Sequence, residues 1–176
     1  TQSMKATATA HPIQGLVKYH GMRDHELRLP YHDSISVCTA PSRTITTVEF
    51  GGSDDDVYVV DGERVDGRGA ERIDAVVAHV RERAGIEAPV RLESENTFRS
   101  NVGFGSSASG FAAAATALCA AADLDLSRPE ISTVARRGSA SAARAVTGAF
   151  SHLRTGLNDA DCRSERVATD LEADLR

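Results

Sequence analysis

The sequence predicts an α+β domain whose mixed or antiparallel sheet is packed by helices. Three observations carry that expectation. Alternation of period two marks the chain between about residues 34 and 60. A helical period takes over near residue 70. From residue 106 onward helical segments dominate, one of them apolar all round. Strands that cluster first, with helices alternating later, fit α+β better than a regular βαβ repeat.

The elements follow in order. Thr1-Gln2-Ser3 precedes Met4 and is expected to be a cloning remnant. An early strand should end at Lys18 and Tyr19, just before Gly21. Residues 34–39 alternate, with Ile35, Val37 and Thr39 on one face. Residues 43–50 alternate again, with Ile45 and Val48 as anchors. After the polar turn 51–56, Val57–Val60 and Glu63-Arg64-Val65 form a hairpin around Asp61-Gly62. Ile73, Val76, Val77 and Val80 then predict an amphipathic helix over about 70–84, stopped by Gly85. Val90–Glu95 reads as a strand. The Ala-rich run 106–122 predicts a helix buried on most sides, which should leave apolar surface wanting cover on these 176 residues alone. Ser127-Arg128-Pro129-Glu130 is a capping box that opens a helix to Arg137. A short helix over 141–146 and a strand over 149–154 complete the domain, expected to span 1–155. Residues 156–176 are expected to be an acidic linker to a C-terminal domain beyond this chain.

Composition removes several function classes. A net charge of −5 argues against a nucleic-acid footprint. No apolar run approaches the roughly 18 residues of a membrane span. Cys38, Cys119 and Cys162 form no C-x-x-C and fit a reducing cytoplasm. The histidines lack metal-ligand spacing, so no metal ligand set is assigned. Lys5 and Lys18 are the only lysines among 20 basic residues, and Asp outnumbers Glu. That bias is expected of a salt-adapted or GC-rich source and makes Lys18 conspicuous.

Three segments carry chemistry. The first, Ser100 to Gly110, puts Gly103, Gly105, Ser106 and Ser107 just ahead of the Ala-rich helix. Glycines let the backbone approach a ligand, and free N–H groups at a helix start attract anions. No G-K-[ST] follows, so it is not a Walker A loop. The spacing Gly103-x-Gly105-x-x-Ala108 matches a dinucleotide fingerprint, but seven residues separate Glu95 from Gly103 where a strand should abut the first glycine. A phosphate cradle is the reading, against a plain Gly/Ser turn capping a buried helix. The second segment, Arg136 to Arg144, surrounds Ser139 and Ser141 with the small residues Ala140, Ala142 and Ala143. A helix opening at Ser141 would put Arg144 one turn later on about the same face, where its fork can grip a carboxylate or phosphate. A solvated arginine beside a tight turn is the bland alternative. The third segment, Gly15 to Asp24, presents Lys18 and Tyr19 at a strand end, or merely ends a strand in solvated charge.

Together these segments resemble the mevalonate diphosphate decarboxylase family of the GHMP kinase superfamily. Val17-Lys18-Tyr19-His20-Gly21-Met22-Arg23-Asp24 is similar to the family's L-K-Y-W-G-K-R-D, and Leu29-Pro30 with Asp33-Ser34-Ile35-Ser36-Val37 to its L-P-x-N-D-S-I-S-V. Ser94-Glu95-Asn96, Ser106 to Ala113 and Arg136 to Ser141 match further motifs, so the resemblance covers about 13–155. It implies the GHMP-kinase N-terminal fold, like domain 2 of ribosomal protein S5, and an ATP- and Mg²⁺-dependent decarboxylation of a mevalonate phosphate. By the resemblance Lys18 and Arg144 are catalytic. Tyr19, His20, Gly21, Met22, Arg72 and residues 139–144 bind substrate, and Asn96, Gly103, Gly105, Ser106, Ser107 and Ala108 bind the nucleotide. It also implies a homodimer, and a catalytic aspartate beyond residue 176, so the chain alone should not turn over.

Departures from the pattern point to the substrate. The family's Trp is His20, its second lysine is Met22, and an Asn near the strand is Ile13. Methionine brings neither charge nor a donor to a terminal phosphate. Mevalonate 5-phosphate, yielding isopentenyl phosphate, is therefore expected over the 5-diphosphate. The competing functions are a kinase on mevalonate or phosphomevalonate without loss of CO₂, and a non-catalytic anion-binding module.

Overall fold

The computed structural model describes residues 4–99 and 107–167. Its elements are β1 (Met4–Ala10), β2 (Ile13–Val17), β3 (Met22–Asp24), β4 (Leu29–Pro30), β5 (Ser34–Cys38), β6 (Thr44–Phe50), β7 (Val57–Val60) and β8 (Glu63–Arg64), followed by α1 (Gly67–Ala84), β9 (Val90–Asn96), α2 (Ser107–Ala121), α3 (Arg128–Arg136), α4 (Ala142–Thr147), β10 (Phe150–Leu153) and β11 (Ser164–Arg166). The strands make a five-stranded sheet β1-β6-β9-β7-β8, a four-stranded sheet β11-β10-β5-β2 and the ribbon β3-β4. The large sheet is mixed, as expected, because β7 runs parallel to β9 and needs the crossover helix α1 between them. The four-stranded sheet is antiparallel throughout.

Local chemistry explains most elements. Asp61 and Gly62 both take positive φ, 50° and 81°, which is what a two-residue hairpin between β7 and β8 demands. The apolar stripe of α1 is fully buried, and Gly85 ends the helix in a left-handed turn at φ 66°. Both hydrogen bonds of the Ser127/Glu130 capping box are present.

Two expectations about burial are corrected. Helix α2 needs no outside cover, because β1 and β6 lie on one side and α1, α3 and α4 on others. Its alanines let every neighbour approach closely. The exposed large apolar side chains include instead Leu16, Val17, Tyr31 and Leu157. In β6, Ile45 and Val48 fall on opposite faces, since they differ by an odd number of residues. The buried face is Thr44, Thr46, Val48 and Phe50. Threonine is tolerated there because its hydroxyls pair with a neighbouring strand and with α2. Thr46 Oγ1 meets Ser94 Oγ at 2.6 Å, and Thr44 Oγ1 lies 2.8 Å from Ser109 Oγ.

The stretch 156–166, expected as linker, packs on the domain: β11 pairs with β10, and Cys162 and Ser164 are buried. Arg136, wholly buried, fastens it. Its Nε donates to the Cys162 carbonyl at 3.0 Å, one Nη to the Leu27 carbonyl, and the other to the Asp159 carbonyl at 2.9 Å and carboxylate.

Candidate active site

Three chain segments far apart in sequence converge on one cavity of about 340 Å³. The end of β2 brings Lys18 and Tyr19, with Ile13 and Gly15 behind them. The start of α2 brings Ser107 and Ala108, and the start of α4 brings Ser141 and Arg144. A second cavity, lined by His11, Cys38 and Arg128 among others, is chemically quieter. Burial pushes the Cys38 thiol up, and His11 Nδ1 is tied to the Ser42 carbonyl at 2.8 Å.

Arg144 dominates the site's electrostatics. Helix α4 opens at Ser141, so Arg144 stands one turn on and lines the same cavity. It is 4% exposed, yet among the described residues its Nε and Nη1 have no hydrogen-bond partner. Burial pushes the guanidinium below its usual range, opposed by Tyr19, over whose ring centroid it lies at 5.9 Å. An arginine still stays charged. A buried cation without a counter-ion costs several kcal/mol, by order of magnitude, and an anion in the cavity removes that cost.

Lys18 is exposed and supplies the second cation. A side chain at Gly15 would put its Cβ 3.1 Å from Lys18 Cγ, so the lysine stem lies across the glycine. Gly15 went unassigned in the sequence, and its signal was a glycine inside a strand. Hydroxyls line up beside the cations: Ser139 Oγ meets Ser141 Oγ at 2.9 Å and Ser107 Oγ at 3.4 Å.

The turn bearing these serines is packed from below by Phe111. A Cβ on Gly138 would stand 2.1 Å from Phe111 Cδ1, and that ring is fully buried and cannot retreat. Gly138→Ala is therefore expected to cost about 1–3 kcal/mol of stability. Urea denaturation of the full-length protein checks this, and an unchanged midpoint would contradict it. Arg72 lies over the same ring, 4.9 Å from its centroid, and donates Nε and Nη2 to the Gly138 carbonyl at 3.0 and 2.8 Å.

The remaining expected residues divide. His20 is exposed and its backbone N–H donates to His32 Nε2 at 3.1 Å. Gly21 sits at φ 74° against the Tyr31 ring, so it is glycine for both conformation and space. Met22 is half-buried opposite Pro30. Arg23 points the other way and donates to the Thr155 carbonyl at 2.8 Å, so it does not stand in for a lysine at Met22. Ala140, Ala142 and Ala143 are buried, and the last two pack into apolar clusters. Asn96 is engaged at both ends: Nδ2 donates to Asp61 at 3.0 Å, and Oδ1 accepts from Thr44 at 2.6 Å. Gly103, Gly105 and Ser106 lie outside the described residues. Among the described residues no group of His, Cys, Asp and Glu is placed to hold a metal ion.

Fold and cavity define an α+β domain that brings two cations and a set of hydroxyls together around a space suited to a small anion. A model of the diphosphomevalonate decarboxylase-like N-terminal domain matches residues 10–164, and the chain belongs to that family. It is 77% identical over 174 residues to the phosphomevalonate decarboxylase of Haloferax volcanii, covering 98% of this chain and 54% of that protein. Among solved structures it is similar to mevalonate diphosphate decarboxylase from Staphylococcus aureus, with TM-score 0.89, 35% identity, and 97% of this chain against 52% of that one. A structure described as MDDEF in complex with MVAPP, AMPPCP and magnesium matches with TM-score 0.89 and 32% identity over 96% of this chain and 52% of that one. The chain thus spans about half the length of the curated relatives it matches. No helix among the described residues is long and apolar enough to cross a membrane.

Proposed function

We propose that the whole protein is an ATP- and Mg²⁺-dependent decarboxylase that converts mevalonate 5-phosphate to isopentenyl phosphate. Residues 1–155, with the packed segment 156–166, form its nucleotide- and substrate-binding domain, and the base belongs to a C-terminal domain. The observation that carries this reading is Arg144, a buried guanidinium without a carboxylate partner among the described residues, in the lining of a cavity that Lys18 also lines. A carboxylate is the natural occupant of a planar, two-pronged donor.

The chemistry follows from the charges. The substrate's tertiary C3 hydroxyl takes the γ-phosphoryl group of ATP, leaving ADP. The C3–O bond then breaks and phosphate departs. The C1–C2 bond pair becomes the C2=C3 double bond, and C1 leaves as CO₂. Arg144 fixes the carboxylate so that its bond lies in line with the departing group. Lys18 offsets negative charge developing at C3 oxygen, which is where positive charge helps phosphoryl transfer most. Ser107, Ser139 and Ser141 orient polar groups of the substrate. Magnesium, when bound with the nucleotide, neutralises phosphate charge. Support for nucleotide and metal comes from the neighbour that carries AMPPCP and magnesium. On this reading the enzyme is a homodimer of a salt-adapted cytoplasm.

The choice of monophosphate rests on Met22 and on the Haloferax relative's name. The names of the other relatives favour the diphosphate. Full-length protein is expected to give the higher kcat/KM with the 5-phosphate, and Met22→Lys to improve use of the 5-diphosphate. Steady-state kinetics with both substrates decide it. A clear wild-type preference for the diphosphate would overturn the choice.

A further inference from the structure

Arg28 is aimed by its neighbours rather than by its own preference. Its backbone sits at φ 53°, a left-handed conformation that costs a residue with a Cβ about 1–2 kcal/mol. Three contacts hold it there. Leu27 N–H donates to Asp24 Oδ1 at 2.8 Å, the buried Arg136 donates to the Leu27 carbonyl, and Leu29 pairs with Asp24 in the β3-β4 ribbon. From that backbone the side chain crosses to the turn before the site serines, where Nε donates to the Arg137 carbonyl at 3.0 Å.

Arg72 is fastened to the very next carbonyl, that of Gly138. Two guanidinium groups thus share one turn, and neither has a carboxylate partner among the described residues. Arg72 is depressed first by burial and then by the charges of Arg28 and Arg68. Like charges held together without an acid repel each other, and a shared anion reverses the sign of that interaction. Among the described residues Arg28 spends only Nε on the protein, and its terminal nitrogens have no partner there.

The spacing to the cavity suits one ligand. Phe111, under Arg72, is four residues beyond Ser107, about 6 Å along α2. A six-carbon acid with a five-carbon main chain, held at its carboxylate by Arg144, is long enough to carry a phosphate past Ser107 to this pair. We propose that Arg28 is a further substrate-binding residue that grips the terminal phosphate together with Arg72. The proposal rests on the substrate reading above. It also says where the charge missing at Met22 has gone: to the other side of the same β3-β4 connection.

The test uses full-length protein with Arg28→Gln and Arg28→Lys. Calorimetry gives Kd for mevalonate 5-phosphate and for mevalonate, and kinetics give KM and kcat. Arg28→Gln is expected to weaken mevalonate 5-phosphate about 10- to 100-fold, as for a lost charge-assisted bond, and to raise KM alone. Mevalonate binding and kcat should hold, and Arg28→Lys should recover part of the loss. Unchanged binding of the phosphate ester by Arg28→Gln would overturn the proposal. So would an equal loss for mevalonate, or a fall in kcat with KM intact, because these mark simple support of the serine turn. A wild type that binds neither mevalonate 5-phosphate nor the 5-diphosphate would sink the substrate reading itself, and this proposal with it.

Discussion

Arg144→Lys in the full-length protein is expected to lower kcat/KM about 10²–10³-fold, although charge is conserved. The guanidinium is buried, and Nε and Nη1 have no partner among the described residues. Lysine ends in one compact ammonium group. It cannot present two parallel donors to a carboxylate, and it loses the stacking over Tyr19 at 5.9 Å. On the proposed function Lys18→Met should be comparably severe, because that reading places its charge where the transferred phosphoryl group develops it. Both losses should fall largely on kcat, as expected for interactions strengthened in the transition state. Steady-state rates measure them, and near-normal turnover in either variant would remove that residue from the site.

Arg136→Met is expected to give a large stability loss without touching the cavity. The side chain is fully buried, and removing it strands three carbonyl oxygens and one arm of the Asp159 carboxylate. Breaking a buried pair costs about 3–5 kcal/mol. The lower end applies here, because Asp159 is partly exposed and keeps Arg137 as a partner. The same cluster predicts an acid response. Burial works to raise the Asp159 carboxyl, but Arg136 and Arg137 outweigh it and hold the group below its usual value of 3.8. A depressed carboxyl contributes stability that is present above its unfolded pKa and lost as pH falls through the folded one. Below about pH 4 the 156–163 segment should therefore loosen. Denaturant midpoints across that range should fall more steeply in wild type than in Asp159→Asn. Parallel curves would contradict the assignment.

How much of this was legible in the sequence depends on how local each signal is. Helix α1 and its Gly85 stop, the Ser127/Glu130 box and the Asp61-Gly62 turn are encoded within a few residues, and each formed as expected. Ser141 and Arg144 were legible as one helical turn, and the ordered motifs brought Lys18, Tyr19 and Ser107 to the same cavity. The buried hydroxyl face of β6 was not legible. Threonine reads as a surface residue until Ser94 and Ser109, about 50 and 65 positions away, supply partners. Arg136 was hidden for the same reason, since its acceptor at Leu27 is 109 residues distant. Strand β11 carries Ser164, Glu165 and Arg166, which look like linker until Ser132 Oγ takes up the Ser164 N–H at 2.8 Å.

The stoichiometry of products from full-length protein tests the assignment of Arg144 and Lys18 most directly. With ATP, magnesium and mevalonate 5-phosphate, a decarboxylase releases one ADP, one inorganic phosphate and one CO₂ per turnover and leaves isopentenyl phosphate. Arg144→Gln should abolish CO₂ release together with turnover. Formation of ADP with the phosphoryl group retained on an intact six-carbon acid, and no CO₂, would identify a kinase and contradict the decarboxylase.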